Sequence, residues 1–302
     1  MTDAVPENST AVCVDMGGTK IYGALIDIAT GQFLYEHRIA THTEGTTPSD
    51  RLVTLIQHLL DQPLATERPV HHIGVGVPGV VTASGEVMVA PNIGWTRFPL
   101  LETLRAAFPL PVIVENDVNV AAMGEYRYGA GQGSTSMICI AVGTGIGSGI
   151  VLNGQLVRGH TYSAGEVGYM IPGREFLGTV YDRFGAMENE AAGPAIARKG
   201  SALARREVTT GEVFDAARRQ EAWALQVIDE ALEYLTLTLA NSASVLDPEI
   251  IVLSGGVIAA ASDLFLEPLR QRVQGLIPFT PRIVASTLGA QAAALGAAAL
   301  GQ

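Results

Sequence analysis

Cysteine is nearly absent from this chain, with two residues, Cys13 and Cys139, among 302. Two thiols cannot build a disulfide framework, and alone they cannot supply a thiolate zinc site. Both lie in apolar runs, which predicts small buried side chains. Charge is also sparse, at 16%, and it leans one way: 19 Lys and Arg against 30 Asp and Glu, a formal net charge of −11. Such a surface repels phosphate backbones and anionic lipid heads, so neither a nucleic-acid partner nor a membrane partner is expected. No run of about 18 uninterrupted apolar residues occurs, so no membrane span is expected either. The Ala-rich tail after Ser286 is interrupted by Gly289 and Gly296. The opening MTDAVPENSTAVCVD lacks the basic start and apolar stretch of a secretory signal. A cytoplasmic location is therefore expected, and the Asn8-Ser9-Thr10 sequon carries no meaning there. The P-loop pattern G-x-x-x-x-G-K-[ST] is missing, as are HExxH, CxxC and GxSxG.

What the chain has in abundance is glycine, 34 residues, and apolar side chains, 48%. Its length allows one large domain or two moderate ones. Residues 11–15 and 21–27 read as strands on either side of Met16-Gly17-Gly18-Thr19-Lys20, and Thr30-Gly31 turns into a third strand over 32–39. The pattern returns about 125 residues later. Residues 137–142 read as a strand, Gly143–Gly149 as a glycine loop and 150–152 as a strand, with Asn153-Gly154 as a hairpin turn. Two ribbons carrying glycine loops predict a duplicated architecture. Between and after them strands (72–77, 111–115, 249–253) alternate with helices (48–60, 118–128, 221–246 and a terminal one within 286–302), the mark of the α/β class. Thr47-Pro48-Ser49-Asp50 is a helix start: N-cap hydroxyl, proline at the first position, acid in the first turn. Gly129 ends the 118–128 helix.

Three glycine loops at strand ends carry the chemistry. In Asp15-Met16-Gly17-Gly18-Thr19-Lys20 the glycines let backbone N–H groups approach an anion. Thr19 and Lys20 add a hydroxyl and an ammonium, and Asp15 can hold Mg²⁺ through water, although the same residues also suit an ordinary tight hairpin. Gly143, Thr144, Gly145 and Gly147 form the second loop; Ser254, Gly255 and Gly256 form the third, at a carboxyl strand end where α/β sheets bind ligands. Together the three read as a nucleotide site. Gly74-Val75-Gly76-Val77-Pro78-Gly79 matches G-x-G-x-x-G, but β-prone Val80-Val81-Thr82 follows it, so no dinucleotide site is expected. In Glu115-Asn116-Asp117, a strand delivers an acid to its carboxyl end. Asp117 there is either the base that accepts a proton from an attacking hydroxyl or the N-cap of the next helix.

With these residues in view the chain resembles the ROK (repressor, open reading frame, kinase) sugar kinases, bacterial glucokinases in particular. The resemblance rests on VDMGGTKIYGALID (14–27), GVPGVV (76–81), APNIGW (90–95), VENDVNVAAMGE (114–125), AVGTGIGSGIVLNGQLVRG (141–159), AGEVGYM (164–170), AAGPAIAR (191–198) and LSGGV (253–257). It implies an actin/hexokinase-like, ribonuclease H-like duplicated α/β fold with an interlobe cleft. A small lobe of 1–118 plus 289–302 and a large lobe of 119–288 are expected. It further implies an ATP-dependent hexose kinase, with Mg²⁺ and ATP as cofactors, and a homodimer. By the same resemblance Asp117 is the general base toward the sugar 6-hydroxyl. Asn116, Glu166 and Glu188 hold other hydroxyls, and Gly79 and Asn92 complete the sugar pocket.

Two departures qualify it. Many members place a histidine three residues after the sugar glutamate and then a CxCGxxGC segment, which together hold zinc. Here Tyr169 stands in the histidine's place and residues 179–186 contain no cysteine, so no zinc is expected. Packing by Tyr169, Tyr181 and Phe184 is expected to order that segment instead. Tyr169 is then either a hydrogen-bond donor to the sugar or a core aromatic. Mannose, fructose or an N-acetyl amino sugar remain alternatives to glucose, polyphosphate an alternative donor, and a non-catalytic sugar sensor an alternative role. Family repressors carry an N-terminal helix-turn-helix; only 11 residues precede Val12 here, so DNA binding is not expected.

Overall fold

The computed structural model describes residues 9–181 and 184–301. Asn8 of the sequon, and Asp182 and Arg183 of the cysteine-free segment, lie outside them. The strands are β1 (Thr10–Met16), β2 (Lys20–Asp27), β3 (Phe33–Ala40), β4 (Val70–Val77), β5 (Val87–Ala90), β6 (Trp95–Phe98), β7 (Val112–Asn116), β8 (Ser136–Val142), β9 (Ile146–Leu152), β10 (Gln155–Leu156), β11 (Ile250–Ser254) and β12 (Arg282–Ala285). The helices are α1 (Pro48–Leu60), α2 (Pro63–Glu67), α3 (Leu100–Ala107), α4 (Asp117–Tyr128), α5 (Ala186–Ala191), α6 (Gly193–Ala204), α7 (Thr210–Arg218), α8 (Ala222–Leu246), α9 (Gly255–Val273) and α10 (Ala292–Ala299).

The chain divides into two compact units. The first holds residues 9–133, 156–164 and 290–301; the second holds 134–155 and 165–289. Each is built on a five-stranded sheet, ordered β3-β2-β1-β4-β7 in the first and β10-β9-β8-β11-β12 in the second. In the first sheet β1–β2 and β2–β3 are antiparallel, while β1–β4 and β4–β7 are parallel. The second repeats that scheme, with β8–β9 antiparallel and β8–β11 and β11–β12 parallel. The expected duplication is therefore present in the strand order itself.

Local chemistry explains the elements. Thr47 caps α1 and Asp50 returns the bond in a reciprocal capping box, at 3.2 Å and 3.0 Å. Leu52, Leu55, Ile56 and Leu59 of α1 are buried beside Val12, Val14 and Ile73 in the first unit's core. The central strands are buried along their length, as parallel strands covered on both faces must be. Cys13 and Cys139 form no disulfide and are buried within β1 and β8.

Three local expectations differ from the structure. Helix α4 belongs to the first unit, which runs to residue 133 where the sequence suggested a lobe boundary at 118. The reason is its packing against α10, backbone to backbone: a Cβ on Gly296 would lie 1.6 Å from the Val120 carbonyl oxygen, and one on Gly124 would lie 2.1 Å from that of Ala292. The terminal helix is limited to α10, after a 3₁₀ turn at Gly289–Gln291. And β9 begins at Ile146, so Gly147 and Gly149 lie within a strand, opposite Ala141 and Cys139. The second glycine loop is accordingly Gly143-Thr144-Gly145.

Candidate active site

The β7–α4 junction holds the predicted base. Asn116, not Asp117, is the N-cap of α4: its Oδ1 accepts the N–H groups of Val118 at 3.0 Å and Asn119 at 3.1 Å. That frees Asp117, at the first helical position, from the capping role. The Asn116 Nδ2 donates to Asp117 Oδ1 and to the Gly79 carbonyl, both at 3.1 Å, and the Val118 N–H reaches Asp117 Oδ1 at 2.9 Å. Gly79 holds φ +94°, and a Cβ there would strike the Val89 carbonyl oxygen at 2.2 Å, so the close turn admits only glycine. Burial pushes the Asp117 carboxyl above its ordinary pKa, against the opposing pull of the N–H groups of Val118 and Asp117 and the Asn116 amide. A carboxylate made more basic by burial is suited to accept a proton near neutral pH.

Asp15 ends the same sheet's central strand. Burial and the neighbouring Asp117 charge push its pKa up to about 6, with Lys20 pulling the other way. Among the described residues neither Asp15 nor Asp117 makes a salt bridge. Burial raises the proton affinity of both carboxylates, and the Asp117 charge adds to that of Asp15. Two such acids with no salt bridge suit a bound cation, and Mg²⁺ takes few carboxylates plus water and phosphate oxygens. Among the described residues no group of three or more His, Cys, Asp or Glu could hold a metal ion, so a metal here would rest chiefly on water and substrate oxygens. Gly17 closes the β1–β2 hairpin, its N–H donating to the Lys20 carbonyl at 2.9 Å. Thr19 and Lys20 are exposed beside it. Gly18 faces Asn92, whose Cβ would be 2.6 Å from a Cβ on the glycine. The first unit thus brings Asp15, the 17–20 loop and Asn92 together, and separately binds Gly79, Asn116 and Asp117 into one network.

The second unit gathers the other predicted residues. Glu188 ties the glycine loop to the start of α5: its Oε1 accepts the Ile146 N–H at 2.9 Å and its Oε2 the Gly185 N–H at 2.6 Å. Each oxygen keeps a lone pair for a further donor. Glu166 is exposed and immediately precedes the 3₁₀ turn Val167–Tyr169. Tyr169 is 49% exposed, which removes the core-aromatic reading. Partial burial and the nearby charges of Glu188 and Glu166 raise its phenol pKa, so the three expected sugar-side groups share one locality. The Gly143 N–H donates to the Gly145 carbonyl at 2.9 Å, and the Gly143 carbonyl accepts from Gly193 at 2.8 Å. Gly255, at φ +88°, opens α9 against Val142, and a Cβ on Gly143 would lie 3.8 Å from the Gly256 nitrogen. The second and third glycine elements therefore adjoin, the third being a helix N-terminus and not a loop; such an end attracts anions.

The segment after Tyr169 is held differently from expectation. Phe176 meets Tyr234 of α8 edge-on, at 6.2 Å between ring centroids, and the Lys199 ammonium lies over the Tyr234 ring, 5.0 Å from its centroid. Tyr181 and Phe184 are only half-buried, and Leu177 and Val180 are exposed. Sequence reasoning also passed over Glu115 and Arg158. A lone carboxylate inside the otherwise apolar β7 was the available signal, since a buried charge demands a partner.

The ROK family model matches residues 11–302, so the chain belongs to the ROK family. Its fold matches that of ROK hexokinase-like two-domain structures. A glucokinase from Halalkalibacterium halodurans is 36% identical over 94% of this chain and 92% of its own. A ROK family glucokinase from Streptomyces griseus, solved in complex with glucose and AMPPNP, superposes with a TM-score of 0.77 at 31% identity, covering 96% of this chain and 98% of its own. A putative xylose repressor from Caldicellulosiruptor sp. is 28% identical over 95% of this chain and 76% of its own.

Proposed function

We propose that this protein transfers the γ-phosphoryl group of ATP to the 6-hydroxyl of a hexose, glucose first among them, with Asp117 as the general base. The protein is a sugar kinase of its family. The observation that carries the finer reading is the pair Asp15–Asp117: two carboxylates set at the ends of β1 and β7, both with raised proton affinity. Sugar binding by itself requires neither.

In the proposed reaction Asp117 accepts the proton of the sugar hydroxyl as its oxygen bonds to the γ-phosphorus and ADP departs. Asn116 keeps the Asp117 carboxylate oriented and the Gly79 turn in place. Such a base is worth roughly 10²–10⁴ in rate. Asp15 would hold Mg²⁺ through water, and the ion would supply charge neutralisation on the phosphoryl oxygens. The amides of Gly18, Thr19, Thr144 and Gly145, the Lys20 ammonium and the α9 N-terminus at Gly255 and Gly256 are assigned to the phosphates. Gly17, Gly143 and Gly147 shape those loops. Glu166, Tyr169 and Glu188 are assigned to the remaining sugar hydroxyls, and Asn92 to the rim beside Gly18. Homodimeric assembly and the absence of zinc follow from the resemblance and belong to the same proposal.

A coupled assay over glucose, mannose, fructose and N-acetyl amino sugars with Mg·ATP tests it. Glucose turnover that falls at least about 10²-fold in Asp117→Ala is the expected result. Tight sugar binding with no phosphorylation of any sugar would instead assign the chain to sugar sensing.

A further inference from the structure

The proposed mechanism leaves Glu115 and Arg158 without a role, although Glu115 is only 4% exposed. Its Oε1 accepts the Asn116 N–H at 2.9 Å and the Asn119 Nδ2 at 3.0 Å; its Oε2 receives the Arg158 Nε at 2.6 Å. Asn116 in turn holds the Asp117 carboxylate. A continuous chain of hydrogen bonds thus runs from Arg158 through Glu115 and Asn116 to the base. Arg158 comes from a distant stretch of sequence, 43 residues on, in a loop closed by the Ala164 N–H on the Arg158 carbonyl at 3.0 Å. A cavity of about 310 Å³ opens beside the pair, lined among others by Thr82, Arg105, Glu115, Arg158 and Tyr162. Tyr162 holds a left-handed backbone, φ +63°, within that same loop.

We infer that Arg158 is a positioning residue for phosphoryl transfer: by neutralising and orienting Glu115 it fixes the β7–α4 turn that aims Asp117. The inference rests on Asp117 being the base. Without the guanidinium, Glu115 keeps a buried, unbalanced charge at the back of the turn, and the cheapest relief is a rotation that drags Asn116 with it. A displacement of the base of about 1 Å costs on the order of 10²-fold in turnover. The hexose KM should change little, because the side-chain hydrogen bond of Arg158 goes to Glu115 and not to a residue assigned to the sugar.

The test compares wild type, Asp117→Ala, Arg158→Ala, Arg158→Lys and Glu115→Gln in the glucose assay, with melting curves confirming folded protein. Arg158→Ala is expected to lose kcat by roughly 10²-fold at an unchanged KM, and Arg158→Lys to retain part of it. Guanidinium ion added below denaturing concentration should enter the adjoining cavity and restore turnover to Arg158→Ala but not to Asp117→Ala. Glu115→Gln, which keeps an acceptor for Asn116 and Asn119 while removing the charge, should fall less than Arg158→Ala. A kcat equal to wild type in Arg158→Ala, or a loss that guanidinium leaves untouched in folded protein, would overturn the inference. Equal turnover by wild type and Asp117→Ala would instead overturn the assignment of the base.

Discussion

At the scale of the residue, the Asp15–Asp117 pair sets the pH behaviour. Asp15 carries a folded-state pKa of about 6 against an ordinary 3.8. The folded protein therefore holds that proton more tightly than the unfolded chain does. Its contribution to stability is complete below about pH 3.8 and is lost as pH rises through 6. Metal binding runs the other way, since only the carboxylate attracts Mg²⁺. Half-saturating Mg²⁺ in the assay should rise steeply as pH falls below 6. Asp117→Asn removes the neighbouring charge but leaves burial, the larger upward cause, so a carboxyl NMR titration should then find the Asp15 pKa lowered yet still above its ordinary value. An unmoved titration would separate the two groups. A second residue-scale case is Gly18. Alanine there would bring its Cβ within 2.6 Å of the Asn92 Cβ and 3.0 Å of its carbonyl oxygen. Gly18→Ala should push the 90–94 turn aside, raising the KM for glucose several-fold if Asn92 faces the sugar. A KM change confined to ATP would detach Asn92 from that role.

At the scale of the element, α4 and α10 lie so close that no side chain separates them at Gly124 and Gly296. Backbone cannot shift as a side-chain tip can. Gly296→Ala should therefore cost about 3 kcal/mol, the upper part of the usual overpacking range, read as a lowered denaturation midpoint. Because the first turn of α4 carries Asp117, turnover should fall in the same variant even below its melting transition. Glycines of the G-x-G-x-x-G string serve packing in the same way: Gly74 lies against Ala297 of α10 and Gly76 against Val120 of α4. His72, buried next to them, donates its Nε2–H to the Ala297 carbonyl at 3.0 Å, and burial lowers its pKa. These contacts give the G-x-G-x-x-G string a packing role in the first unit.

At the scale of the molecule, two sheets with one strand order divide the chemistry. Asp117, the proposed base, the Asp15 carboxylate and the first glycine loop belong to one unit; Glu166, Tyr169, Glu188 and the other glycine elements belong to the other. Among the described residues no helix is long and apolar enough to cross a membrane. Prolonged chelation followed by buffer exchange should leave the melting temperature unchanged while turnover becomes dependent on added Mg²⁺. A lowered melting temperature, restored by zinc, would reveal a structural metal despite the missing cysteines.

Sequence by itself determined the parts governed by neighbours along the chain. Thr47 and Asp50 announced the start of their helix, Gly129 its helix end, and the hydrophobic runs their strands, because caps, turns and periodicity act within a few residues. The positions of Asp15 and Asp117 at strand ends were legible for the same reason. Tertiary structure alone decided which polar groups are already engaged. Gly147 became part of a strand when β9 paired with β8, Glu188 bound two backbone amides, and Tyr169 stayed outside the core. Arg158 found Glu115 across 43 residues, and α4 joined the first unit through α10. Each of these depends on a partner brought close only by folding, and no local pattern names that partner.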